Sequence, residues 1–218
     1  MTGSKRATTE SKLTSKGRQT RQRIVVAAAD LMFERGVAGT TLEDVRSAAG
    51  VSSSQVYHYF ADKEALVRSV IEYQNETIVG GQEPMLASLD TLAGLRAWRD
   101  FLVTRQRQLN CRGGCPIGSL GSELAEIDQR ARSAIAAGFR RWEAGIRDGY
   151  RAMHSRGELA ADADPDRLAT ATLAAVQGGL LLAQIQRSTA PLESALDTIL
   201  DHIRSLMVAV PGDGSNET

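Results

Sequence analysis

From Thr40 to Lys63 the chain reads TTLEDVRSAAGVSSSQVYHYFADK, two short helix-forming runs hinged on Gly50. That hinge is the strongest constraint in the sequence. Glycine readily takes the positive φ that a tight turn between helices needs, whereas a residue with a Cβ resists it. Thr41 is a good N-cap, with Asp44 following in the acidic first turn of a helix that runs to about Ala49. Ser52 or Ser53 caps the next helix, and Asp62-Lys63 opens another. Two short helices joined this tightly suit a helix-turn-helix, whose second helix lies in the major groove of double-stranded DNA.

Within the motif the residue types divide by task. Val51, Val56 and Phe60 are the apolar positions that face the first helix, while Ser53, Ser54, Gln55, Tyr57 and His58 make up the outer face. A glutamine can contact adenine with both ends of its amide, and a serine can meet donors or acceptors on base edges. Thr41, Tyr57 and Lys63 suit phosphates, which position such a module without reading sequence. Lys63 sits in the first turn of its helix, where the helix N-terminus already favours an anion. Ser52, and Arg18 and Arg21 from the basic segment upstream, complete the candidate DNA contacts.

The composition carries the helical reading through the rest of the chain. At 218 residues and 42% hydrophobic it can bury a real core, and with only 5% aromatic residues it favours helices over a β-rich fold. Ile24, Ala27, Ala28, Leu31 and Met32 repeat at helical spacing between about Thr20 and Gly36. A fourth helix runs from Lys63 to Gly80-Gly81, and after the Gly-Gly-Gln-Glu-Pro break helical patterns occupy roughly 88–110, 117–123, 125–156, 165–187 and 191–209. The expected fold is all-α. A helix-turn-helix domain spans 20–66, a helical ligand-binding and dimerisation domain spans 67–210, and disordered segments lie at 1–19 and 211–218.

The formal net charge is zero, but Met1 to Arg23 carries +6 and the remainder −6, an asymmetry suited to a polyanion at one end. The N-terminus lacks an apolar run of the kind a signal peptide needs. The stretch Leu168–Ala183 is broken by Thr170, Thr172 and Gln177 and reads as too short to span a bilayer, so a cytoplasmic protein is expected. Cys111 and Cys115 are the only cysteines and are expected as reduced thiols. His58, His154 and His202 lie far apart in the sequence, so no metal site or cofactor is expected, and with no histidine near the cysteines neither is an enzyme.

The segment from Arg21 to Glu72 resembles the N-terminal domain of the TetR family of transcriptional repressors. The resemblance rests on Ile24, Ala27 to Ala29, Gly36, Thr40-Thr41, Ala49-Gly50-Val51-Ser52, and Tyr57, Phe60, Lys63, Glu64 and Leu66. Two positions depart from the family pattern. Arg46 stands where a small alanine is usual, so its side chain must turn outward toward a phosphate, which adds it to the candidate DNA contacts. Ser53-Ser54-Gln55 replaces the more frequent triplet, so the operator sequence cannot be carried over.

The resemblance implies a body that binds a small-molecule inducer and pairs with a second copy. Helix 165–187 is rich in small residues (Ala169, Ala171, Ala174, Ala175, Gly178, Gly179), and 191–209 is amphipathic, which suits a four-helix bundle between two subunits. A two-fold dimer implies a palindromic operator. Trp98, Phe101, Phe139, Trp142 and Gln177 are candidate pocket residues on the body helices. The run Gly114-Cys115-Pro116-Ile117-Gly118-Ser119-Leu120 with Glu123 resembles a signature of one branch of the family, some of whose members respond to electrophiles. It adds Cys111 and Cys115 as pocket candidates, with Arg112 placed to favour a thiolate. A thiol-based electrophile or redox sensor is therefore the alternative expectation, and a non-specific architectural DNA binder is a third.

Overall fold

The computed structural model describes residues 13–208; the basic residues Lys5, Arg6 and Lys12 and the tail from 209 lie outside them. Ten α-helices follow in order among the described residues: α1 Ser15–Arg35, α2 Leu42–Ala49, α3 Ser53–Tyr59, α4 Lys63–Ile78, α5 Glu83–Leu86, α6 Leu92–Gln108, α7 Pro116–Leu124, α8 Gln129–Ser155, α9 Pro165–Gln186 and α10 Ala190–Ser205. No strand forms among the described residues, only an isolated antiparallel bridge between Leu159 and Met207. The all-α expectation holds.

Several boundaries differ from those expected. The first helix starts at Ser15, not near Thr20, because the Thr14 hydroxyl accepts from the amide of Gly17 and caps it there. Residues 15–19 are thus helical where disorder was expected, and residues 1–12 of that segment lie outside the described residues. The Gly-Gly-Gln-Glu-Pro break is itself helical, a 3₁₀ turn at Gly80–Gln82 running into α5 with proline in its first turn, where proline loses no helical hydrogen bond. Helix α6 waits for its cap at Thr91.

The chain divides into two compact units. One gathers the described residues up to Ile78 together with Pro116–Ala136; the other gathers Val79–Cys115 and the described residues from Ala137 onward. This departs from a boundary at residue 66. All of α4 belongs to the first unit because Leu66, Val67, Val70 and Ile71 are buried and the helix packs on α1. Helix α7 joins it through a bond no local pattern announces: the Glu123 carboxylate accepts from the backbone N–H of Val37 at 2.7 Å. The Asn75 side-chain amide likewise donates to the carbonyl of Ala134.

In the second unit, α9 packs along α10 and α10 along α6. A Cβ on Gly179 would lie 2.9 Å from the Cα of Leu192, so glycine is what lets α9 and α10 approach so closely. With Asp164 as N-cap and Arg187 closing its C-terminus, α9 reaches 22 residues, so it is long and apolar enough to cross a membrane, contrary to the sequence expectation. Leu168, Leu173, Val176, Leu180 and Ala183 are nevertheless buried within the unit, as in the core helix of a globular domain.

Candidate DNA interface and body residues

The helix-turn-helix is built by two reciprocal caps around one glycine. At the start of α2 the Thr41 hydroxyl accepts from the amide of Asp44, while the Asp44 carboxylate accepts from the Thr41 amide at 2.9 Å and its hydroxyl at 2.6 Å. These bonds hold the Asp44 carboxyl below its ordinary range, the Thr41 hydroxyl contributing most. Gly50 ends the helix at φ +61°, and Val51, buried, leads into α3. There the Ser52 hydroxyl accepts from the amide of Gln55, and Gln55 Oε1 accepts in return from the amide of Ser52 at 2.9 Å. Val45, Val56 and Phe60 fill the space beneath.

This scaffold leaves Ser53, Ser54, Gln55, Tyr57 and His58 exposed on the outer face, with the Tyr57 ring 60% accessible. His58 meets Tyr59 edge to face at 4.9 Å. Ser54 and Ser52 share a hydroxyl–hydroxyl bond, and Gln55 keeps only its amide nitrogen uncommitted by the cap. A two-ended contact from Gln55 to adenine therefore requires its oxygen to leave the Ser52 amide. Thr41 spends its hydroxyl hydrogen on Asp44, so a phosphate would have to displace that carboxylate.

The cations fall into different settings. Lys63 opens α4, whose start is capped by the Asp62 carboxylate accepting from the Ala65 amide. Arg18 is exposed and donates to the carbonyl of Leu13. Arg21 turns into the head: its guanidinium lies 5.4 Å from the centre of the Phe60 ring and donates to the Ser69 hydroxyl. That placement gives it a packing role the sequence did not suggest. Arg46 turns outward as expected but meets a carboxylate, donating from Nε to Glu43 at 2.8 Å and from Nη2 to the same group.

The body candidates differ in burial and in whether their polar atoms are satisfied. Trp98 and Trp142 are buried, Phe101, Phe139 and Gln177 half-buried. Trp98 is satisfied, its indole N–H donating to Gln82 Oε1 at 2.9 Å. The Trp142 indole nitrogen, Gln177 Nε2 and Gln106 Oε1 are buried without a hydrogen-bond partner. Gln106 was not anticipated; a lone glutamine within a helical run carries no signal of burial. A groove of about 430 Å³ lies instead between α5 and α8, lined by Glu83, Leu86, Asp90, Arg141, Gly145 and Asp148 among others, and none of the expected pocket residues borders it.

Cys111 and Cys115 are both buried thiols, and they form no disulfide. Arg112 is exposed, and the Arg187 guanidinium donates to the backbone carbonyl of Cys111. Buried thiols with a cation spent on a carbonyl do not favour the thiol-sensor alternative.

Two family models account for most of the chain. Residues 24–70 match the bacterial regulatory proteins of the tetR family, and residues 91–199 match the tetracyclin repressor-like C-terminal domain. An HTH-type transcriptional regulator of Mycobacterium tuberculosis is 30% identical over 87% of this chain and 94% of its own length. The transcriptional regulator AcuR of Cereibacter sphaeroides is 28% identical, covering 83% and 84% respectively. A TetR transcriptional regulator from Chloroflexus aurantiacus superposes with a TM-score of 0.77 at 27% identity, over 89% of this chain and 98% of its own. The helix-turn-helix at Leu42–Tyr59, the helical body that follows it in the chain and these matches agree: the chain belongs to the TetR family of DNA-binding transcriptional regulators, which are not enzymes.

Proposed function

We propose that the protein is a cytoplasmic homodimeric repressor that binds a palindromic operator and leaves it when a small molecule occupies the body. The observation that carries the dimer is a row of aliphatic side chains left open on α9. Leu181, Leu182 and Ile185 are 56%, 45% and 68% exposed on a helix whose other face is core. Ala171, Ala174 and Gly178 continue the row at helical spacing, so a second copy can approach closely along it. Two heads related by a two-fold axis would meet half-sites about 34 Å apart, one turn of DNA.

The inducer reading rests on the buried groups of the body. An unpaired buried donor or acceptor costs roughly 1–3 kcal/mol, so Trp142, Gln106 and Gln177 are ready partners for a ligand with both donor and acceptor atoms. To release DNA, such a ligand must bind the DNA-incompetent arrangement better than the competent one.

One pair of measurements tests both parts. Light scattering should show a dimer that the double substitution Leu181→Glu, Ile185→Glu converts to monomer, with loss of footprinting on palindromes upstream of the gene. A dimer that survives the substitution refutes this interface. Compounds that raise the melting temperature should also lower operator affinity; stabilisers that leave it untouched would refute the inducer reading.

A further inference from the structure

We infer that Glu43 withholds Arg46 from DNA, and so sets how many phosphates the head neutralises. The inference rests on the DNA-binding reading of the helix-turn-helix. In such a motif the first helix crosses the sugar-phosphate backbone, and here that helix is α2, with Glu43 and Asp44 in its first turn.

The polar groups of α2 are spoken for in the free head. Thr41 and Asp44 close on each other through the reciprocal cap. Arg46 is half-exposed on the flank of the helix beside the buried Val45 and Ala49, and extends toward Glu43 one turn back. Its Nε and Nη2 donate to the two carboxylate oxygens of Glu43, and Nη2 also reaches the Ser47 hydroxyl at 3.3 Å. This is the forked geometry in which guanidinium and carboxylate match best, and it uses the same N–H groups that a phosphate would take. The Arg46 bond holds the Glu43 carboxyl below its ordinary range, so the pair stays ionised and sums to zero charge across the neutral pH range.

A neutral pair releases no counterions from DNA. For Arg46 to reach a phosphate it must leave Glu43, and the carboxylate would then face the same polyanion unpaired. An exposed ion pair is worth little by itself. What keeps Arg46 in place is the repulsion that Glu43 would meet at the phosphates. Glu43 thus lowers non-specific affinity while leaving base readout to α3, which raises the ratio of specific to non-specific binding.

The test needs neither operator nor inducer. Binding of the full chain to a short random-sequence duplex is followed by fluorescence anisotropy between about 50 and 200 mM salt, and the slope of log K against log salt counts neutralised phosphates. Arg46→Ala should not steepen the slope of the unsubstituted protein, because it frees no cation and leaves the Glu43 carboxylate unpaired. Glu43→Gln should steepen it by about 0.9, the value of one added phosphate contact. The double substitution should return it to the starting slope. Circular dichroism melts verify folding, and Glu43→Ala reads the same way should the glutamine variant misfold.

Three results would overturn the inference. A slope that falls by about 0.9 on Arg46→Ala while Glu43→Gln leaves it unchanged would place Arg46 on a phosphate already. A Glu43→Gln gain that persists without Arg46 would show that the carboxylate acts only through its own charge. No change in any variant would place the pair off the interface. Failure of the unsubstituted protein to bind duplex at all would instead refute the DNA-binding reading beneath it.

Discussion

The two units of this protein are held together by different kinds of interaction, and the difference explains which of them can be read from sequence. In the first unit the helix-turn-helix itself is closed by short-range bonds, Thr41 with Asp44, Ser52 with Gln55 and the left-handed turn at Gly50, and long-range bonds such as Glu123 to Val37 only add α7 to it. The second unit is joined over long stretches of chain, with Arg99 paired to Asp197, Arg107 to Glu193 and Arg156 to Asp90. Each of those pairs has at least one partner well exposed to solvent and contributes little energy. Its stability comes instead from close approach of α9 and α10 and from burial of Trp98, Trp142, Tyr150 and Ile146. A unit specified locally presents a fixed surface, as a DNA reader must. One specified by packing can retain unpaired buried groups that a ligand completes.

The sharpest way to separate the units is to damage one core. Phe60 is 2% exposed and lies under Arg21, so Phe60→Ala should cost about 3–5 kcal/mol and abolish DNA binding. Hydrogen exchange should show loss of protection across α1 to α4 with the α9–α10 amides still protected; uniform loss would mean that the two units unfold as one.

The converse change strikes the body. Gly179→Ala places a Cβ 2.9 Å from the Cα of Leu192, where backbone must shift, and overpacking of this kind costs about 1–3 kcal/mol. A lowered melting temperature with the head's amides unchanged is the expected result. An unchanged melting temperature would show that α9 and α10 can separate without loss.

The smallest effect is confined to alkaline pH. Burial pushes the Tyr150 hydroxyl up to about 12, with its bond to Thr172 opposing the rise. Unfolded chains ionise this group near 10. The folded state prefers the neutral phenol, so its contribution is complete below pH 10 and is lost as pH climbs from there to about 12. Denaturant midpoints across that window should fall in the native protein and fall less in Tyr150→Phe. Equal slopes would remove Tyr150 from the account.

Legibility followed the same division. The caps at Thr41 and Ser52, the glycine turn and the exposed row on α3 were all readable, because each depends on residues within one turn of one another. The outward turn of Arg46 was readable too, but not its destination: Glu43 lies three positions away, and the sequence does not say whether an arginine chooses a neighbouring carboxylate or a phosphate. The packing of Arg21 was not readable, because a basic residue before a DNA-binding motif reads as a DNA contact, while the Phe60 ring it covers is 39 positions downstream. The surroundings of the pocket candidates were the least legible. Large aromatics in amphipathic helices are core by default, and nothing in the sequence separates the satisfied indole of Trp98 from the unsatisfied one of Trp142.

By itself the sequence determined the all-helical class, the helix-turn-helix and its family, since helical period, capping and turn chemistry act over a few residues. Only the tertiary structure decided that α7 belongs with the head through Glu123 and Val37, that α9 keeps one aliphatic row open, and that Arg46 is tied to Glu43. Each of these depends on which groups folding brings within bonding distance and which it leaves unburied. Helical period and local capping do not encode those distances.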